Sequence, residues 1–507
     1  MIGRRSLLRA LMTGVTGLLP VSARGQAVTC PDVSALDKGV GQKAIWKSYY
    51  DHTRVWGYAD QHSVSAGEPF HLMLSTGPGL GPIKGAVEIF RIGYHSDSDR
   101  KLMWRSQNVE VLNAGEALVT AGTIGAGWPT GIENIDTSGW PSGYYTVDFI
   151  DRSDGYRDLN VAYIIVTNKD RTGDILLELS TNTYQAYNEW GGYSFYSCDF
   201  VGTHSRMISF DRPTPPDFFE YEYFLVLWLE RLAAELGLKV DYATNFDIHC
   251  DPAFTQRYRL FISGSHNEYW SKEEFDAVYQ RIFELGKNTM FFGANTAYWQ
   301  VRYADVNGPN PQSNRGRQLI CYKSIEDPIR YRVGDSKTMD LITMRFRDIG
   351  RRPESMLMGG AYQSYFDRSA VPLIKYPYFV ARTDLPFFQG TGYGVGDPVG
   401  DLVGYEWDNT DPDQDGARLW NVQTSRIAPV DLGSIKVLFT GSPVDIDGKQ
   451  GKAEAVYFVS NAGAKVFNAG SIRWSWGLGK ADFERDAFKT FNRNLLLHFL
   501  DNPLPGD

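Results

Sequence analysis

Only four of the 507 residues are cysteine and eight are histidine. Cys30, Cys198, Cys250 and Cys321 have no metal-type spacing and are too few for a disulfide scaffold. The histidines are dispersed and no HExxH run occurs, which argues against a histidine-rich zinc site. No Walker loop and no dinucleotide fingerprint follows a strand; the stretches SGSHN and TAGTIGAG contain glycine but lack that context. Beyond the N-terminus no apolar run has the length of a membrane-crossing helix. Excess positive charge is also missing. Lys and Arg total 51 against 60 Asp and Glu, a formal charge of −9, so the broad attraction to phosphate backbones that nucleic-acid binding needs is absent.

What is abundant is aromatic. Phe, Trp and Tyr make up 14% of the chain, and Tyr and Trp suit sites that are apolar and polar at once. The length suggests two or three domains. Residues 1–27 read as an export signal of twin-arginine type. Arg4-Arg5-Ser6-Leu7-Leu8-Arg9 precedes a short apolar run from Ala10 to Pro20, with small residues from Ser22 and cleavage after Ala23 or Ala27. A periplasmic or secreted location is expected. Removal of the signal takes away four arginines and makes the chain more acidic still.

Residues 28–55 read as a lead-in. From 56 to 168, short apolar runs such as PFHLMLST, GAVEIFRIGY and GYYTVDFI alternate with Gly, Pro, Asp and Asn, the texture of an all-β sandwich. From 169 to 507 the texture changes. DILLELS (174–180), RYRLFISG (257–264) and NTMFFGAN (288–295) read as strands. FEYEYFLVLWLERLAAELG (219–237) reads as a helix stopped by Gly237. Ser271 and Glu274 form a capping-box pattern at the start of another helix, which runs to about Leu285. Strand–helix alternation predicts an α/β domain on a mostly parallel layered sheet, resembling a glutamine-amidotransferase or flavodoxin-like core. Residues 300–430 are expected as long loop insertions with short strands, covering one side of the sheet. Strands at 435–441, 453–460 and 464–472 and a helix at 484–500 are expected to complete the domain.

Ligands in open α/β sheets gather beyond the carboxyl ends of strands. Three polar clusters fall there: Tyr184, Tyr187 and Asn188 after the first strand, His266, Asn267, Glu268 and Tyr269 after the second, and Asn295 after the third. Each residue alone has a structural reading. Tyr184 and Trp190 can cover an apolar rim, Asn188 and Asn267 can cap turns, and Gly191-Gly192 can form a tight turn. Glu268 fits that reading least, because a carboxylate at a strand end is costly unless used or solvated.

TYQAYNEWGGYSFY, SHNEYW, FFGANTAYW, GYEWD (404–408) and AKVFNAGSIRWS (from 464) resemble blocks of the N,N-dimethylformamidase large-subunit-like family, and GAVEIFRIGY resembles its N-terminal β-domain. The resemblance spans about residues 56–502. It implies a mononuclear Fe(3+) site held by two tyrosines and one glutamate, and hydrolysis of a small amide. By motif the glutamate is Glu268 and one tyrosine is Tyr187. The other is Tyr145 in SGYYTV, with Tyr144 as the alternative. Glu406 matches an acidic residue near the metal, and His266 and Asn295 match residues beside the metal or the substrate.

The implied chemistry is coherent. Two phenolates and a carboxylate balance three positive charges. Glu406 is placed to accept a proton from water, His266 or Glu406 to protonate the departing amine, and Asn295 to donate to the developing oxyanion. The family enzyme pairs its large chain with a small subunit, so a small partner subunit or a homo-oligomer is compatible with this chain. Two other classes fit the composition: a secreted carbohydrate-active or carbohydrate-binding protein, with Glu268 and Glu406 for acid/base work, and a non-catalytic envelope protein on a degenerate enzyme fold.

Overall fold

The computed structural model describes residues 53–115, 121–196, 204–215, 217–306, 315–331, 340–349, 352–410 and 434–502. The expected export signal and nearly all of the lead-in lie outside these, as do Cys30 and Cys198. Cys250 and Cys321 are free thiols.

Residues 55–167 form two sheets. One has three strands, in the order Val55–Ala59, Phe70–Thr76, Thr130–Ile135. The other has five, in the order Ser63–Ser65, Arg157–Thr167, Gly143–Asp151, Ile83–Ile92, Arg100–Val111. Phe70, Leu72 and Leu74 from the first share a core with Val87, Ile89, Val147 and Phe149 from the second. The i, i+2 spacing of Phe70, Leu72 and Leu74 puts them on one face, as a strand's alternation requires. Each such side chain contributes roughly 1.5–3 kcal/mol on leaving water.

A nine-stranded sheet runs through the rest of the chain, in the order Val240–Thr244, Ile175–Leu179, Leu260–Ser263, Asn288–Phe291, Lys465–Asn468, Ala453–Val459, Lys436–Gly441, Tyr376–Val380, Pro398–Val403. Its first five strands are parallel. The pairings beyond them are antiparallel. Both faces are covered: Leu177 and Phe292 enter one core and Leu176 and Phe291 the other, so these strands read as unbroken apolar runs.

The expected fold class is corrected by this topology. Strand outweighs helix and there are several mixed sheets, so the protein is not a mostly parallel, flavodoxin-like α/β layer. The connections give the physical reason. Val459 and Lys465 are joined by the short turn at 460–464, closed by the Ser460 N–H on the Ala464 carbonyl. A parallel pair needs a crossover of about a dozen residues or more, so this pair must be antiparallel. The stretch 300–430, expected as long loops with short strands, adds two strands to the sheet edge and a separate pair, Ala361–Tyr365 with Glu406–Asn409. Residues 411–433 lie outside the described part.

The helices that cover the sheet follow local rules. Tyr223–Leu236 ends on Gly237 at φ 67°, a left-handed position that favours glycine. Lys272–Phe283 starts from a complete capping box: the Ser271 hydroxyl accepts from the Glu274 N–H, and the Glu274 carboxylate accepts from the Ser271 N–H. Among the described residues no helix is long and apolar enough to cross a membrane.

Candidate active site

Three parallel strands end on one rim. After Ile175–Leu179 the chain turns into the short helix Thr181–Ala186 and places Tyr187 at its end. After Leu260–Ser263 it enters the segment carrying His266, Asn267 and Glu268. After Asn288–Phe291 it reaches Asn295. Glu406 comes from the separate two-stranded pair, opposite Tyr365.

The backbone of the second segment is clamped. The Glu268 N–H donates to Thr183 Oγ1 at 3.0 Å, and the Glu268 carbonyl accepts from the N–H groups of Tyr298 and Trp299. Asn267 Nδ2 donates to Glu178 Oε2 at 2.6 Å and to Ser263 Oγ at 2.9 Å. Gly293 presses on this segment so closely that a Cβ there would lie 1.8 Å from the Ser265 carbonyl oxygen. These contacts fix where Glu268 points.

His266, Glu268 and Glu406 are buried together, each 2% exposed or less. His266 Nε2 lies 3.4 Å from Glu268 Oε2 and 3.2 Å from Glu406 Oε2. One ligand-type atom from each residue falls within 4.8 Å of the others. Burial by itself would depress the imidazole, but the two carboxylates outweigh it and raise His266 to about 9. Asn295 Nδ2 donates to Glu406 Oε2 at 3.0 Å, and the Asn295 N–H donates to Asp408 Oδ1 at 2.8 Å. Burial lifts Asp408 to about 6.

Two phenols also meet Glu268. Tyr187 donates to Oε2 at 2.5 Å and Tyr196 to Oε1 at 2.9 Å. Their hydroxyls are 2.9 Å apart and their rings stack at 4.4 Å. Tyr269 OH donates to Tyr196 OH at 2.7 Å, and the Lys323 ammonium sits 3.6 Å over the Tyr196 ring.

Of the residues singled out in the sequence, the structure brings together Tyr187, His266, Glu268, Asn295 and Glu406. Tyr145 and Tyr144 are placed elsewhere, because neighbours in the strand Gly143–Asp151 point to opposite faces. Tyr145 stacks on Trp140 in the core of the two small sheets and donates to the Pro141 carbonyl. Tyr144 stacks on Phe218 at 3.7 Å in the large core. Neither phenol takes the position beside Glu268 expected of a second tyrosine. Tyr196 does, and nothing in the sequence marks it out beyond its place in the tyrosine-rich stretch. The loop folds back through the Phe195 N–H on the Ala186 carbonyl, which a residue count does not reveal.

Tyr184 belongs to the large core and Trp190 packs against Trp56 and Trp128. Gly191, at φ 78°, lies so close to Gly122 that a Cβ would meet its nitrogen at 2.6 Å. Asn188 holds the turn by donating to the Pro213 carbonyl and accepting from the Trp190 N–H.

The donor set fits a metal ion. It offers buried carboxylates, an imidazole and two phenols, and the His266 Nε2 has no hydrogen-bond partner of good geometry. What the fold and this cluster define is a mixed-sheet protein with a buried His/Glu/Glu site able to hold a cation. The chain belongs to the family described as N,N-dimethylformamidase beta subunit-like, C-terminal, which it matches over residues 86–487. That membership supports a related amide hydrolase. No curated protein is matched. Among solved structures, a family 123 glycoside hydrolase from Clostridium perfringens is 8% identical over 50% of this chain and 69% of that one. Its TM-score is 0.11, too low to bear on fold or function.

Proposed function

We propose that the protein is an iron-dependent hydrolase that cleaves the C–N bond of a small amide. The observation that carries this reading is the meeting of Tyr187 and Tyr196 on Glu268, with His266 3.4 Å from the same carboxylate and 3.2 Å from Glu406. Two donor sets share Glu268: the phenol pair, and the His266/Glu406 pair. The phenol pair is the better iron cage. A free phenol ionises near a pH of about 10, so ligation by phenolate calls for a hard, highly charged cation, and Fe(3+) matches three anionic oxygens. Tyr187, Tyr196 and Glu268 would then hold the ion, which supplies Lewis acidity when bound.

The remaining residues are left for proton work. Glu406 accepts the proton of the attacking water. His266, between Glu268 and Glu406, delivers a proton to the departing amine nitrogen. Asn295 holds Glu406 in direction through Nδ2. Burial of all three keeps bulk water out and strengthens each electrostatic contact. Export to the periplasm belongs to the same proposal and rests on residues 1–27.

The test is turnover of a panel of formamides and simple carboxamides by iron-loaded protein and by protein stripped with a chelator. Amine release that needs iron and falls about 100-fold or more in Glu406→Gln supports the reading. Turnover indifferent to iron and to Glu406 contradicts it.

A further inference from the structure

One tyrosine away from His266, the protein gathers positive charge without the usual counter-charge. The Tyr221 ring lies 5.1 Å from the His266 ring. Its hydroxyl accepts from Arg368 Nη1 at 2.7 Å and lies 2.9 Å from the Tyr405 hydroxyl. The Arg368 guanidinium sits 5.5 Å over the Tyr405 ring, and its side chain is exposed. Tyr405 is the residue before Glu406. Arg368 is therefore joined to the candidate site through Tyr221 and Tyr405.

Beside it is Arg473, only 2% exposed. Its guanidinium lies 4.9 Å from the Trp476 ring and 5.2 Å from Phe366. One Nη donates to the Ile374 carbonyl, while Nε is buried without a partner. Burial lowers this guanidinium to about 10. The Lys480 ammonium lies 3.1 Å from the centre of the same Trp476 ring.

The contrast with other buried arginines is informative. Arg91 pairs with Glu230 and Arg347 with Glu354. Arg212 and Arg281 spend nearly all of their N–H groups on oxygen acceptors within the fold. Arg473 does neither. Glu220 acts on Arg368, Arg473 and Lys480, Asp217 on Arg368, and Asp401 on Arg473. Among the described residues neither Glu220 nor Asp401 comes within ion-pairing distance of the three cations. In a chain of net charge −9, three cations without paired acids on an aromatic floor form a receptor for an anion.

Resting on the hydrolase reading above, we propose that the amide cleaved at this site carries a carboxylate, held by Arg368 with Arg473 and Lys480 while the amide faces His266, Glu268 and Glu406. A carboxylate is favoured because it is planar, matches the two-pronged guanidinium and can lie along the rings of Tyr405 and Trp476.

The experiment is a binding titration followed by intrinsic tryptophan fluorescence, so it does not require turnover. The probes are succinamate, its neutral methyl ester and inorganic phosphate, on wild type, Arg368→Gln and Lys480→Gln. Succinamate is expected to bind about tenfold or more tighter than the ester at low ionic strength. That preference shrinks in about 0.5 M salt and in either variant, most in Arg368→Gln. Equal binding of succinamate and ester, or a preference untouched by both variants, overturns the proposal. Phosphate binding as tightly as succinamate overturns the carboxylate assignment. A clear succinamate preference with no hydrolysis of any amide sinks the hydrolase reading and leaves the carboxylate site standing; hydrolysis without the preference does the reverse.

Discussion

The Asn295 amide donates to Glu406 Oε2 at 3.0 Å from a backbone held at φ 57°. A residue with a side chain adopts that left-handed conformation at a cost, and Asn tolerates it better than most. The cost is met by the Asn295 N–H on Asp408 and by the amide on Glu406. Asn295→Gly therefore keeps the backbone and loses only the amide. Thermal stability is expected to stay near wild type while kcat falls about 10- to 1000-fold. A variant that unfolds, or one with unchanged kcat, contradicts this.

Gly293 has no room for a side chain because a Cβ would run into the Ser265 carbonyl oxygen. Gly293→Ala must move the segment that carries His266 and Glu268. The expected result is a loss of about 1–3 kcal/mol in denaturant unfolding together with loss of bound metal. Full metal binding in a stable Gly293→Ala protein would mean the clamp is looser than its geometry implies.

The pH dependence of stability has a definite sign. Burial raises Glu222 to about 7 and Asp408 to about 6. Folded values above the unfolded ones mean that the folded state holds protons more tightly. The stability linked to these groups is fully present below the unfolded carboxyl range near a pH of about 4, and is lost as pH rises through about 6–7. Urea midpoints of the wild type should fall across that window. In Glu222→Gln the fall should be smaller, by an amount on the order of 3 kcal/mol or less. An identical slope in the two proteins would remove Glu222 from the account.

How much of this was legible in the sequence depends on the range of the interaction. The capping box at Ser271 and the stop at Gly237 are local, set by residues within a turn of each other, and both stand as read. The rim position of Tyr187, His266, Glu268 and Asn295 follows from strand ends that apolar runs mark clearly. The sheet's mixed character was not legible in the same way, because whether Val459 and Lys465 pair antiparallel depends on a turn whose length the strand boundaries hide. Tyr196 was hidden for a similar reason: it reaches Glu268 only because its loop folds back across Ala186. Tyr144 and Tyr145 misled because an adjacent tyrosine pair stands out in a sequence, whereas a strand sends its members into two different cores.

The central claim is that Tyr187, Tyr196 and Glu268 hold iron, and its most direct test is metal content with the visible absorption spectrum on the same sample. The account predicts about one iron per chain and a broad visible charge-transfer band from iron-bound phenolate. Both should be lost or strongly reduced in Tyr187→Phe, which keeps the ring and removes the oxygen. A colourless wild type that takes up no iron after reconstitution, or a Tyr187→Phe protein with iron and band intact, contradicts it.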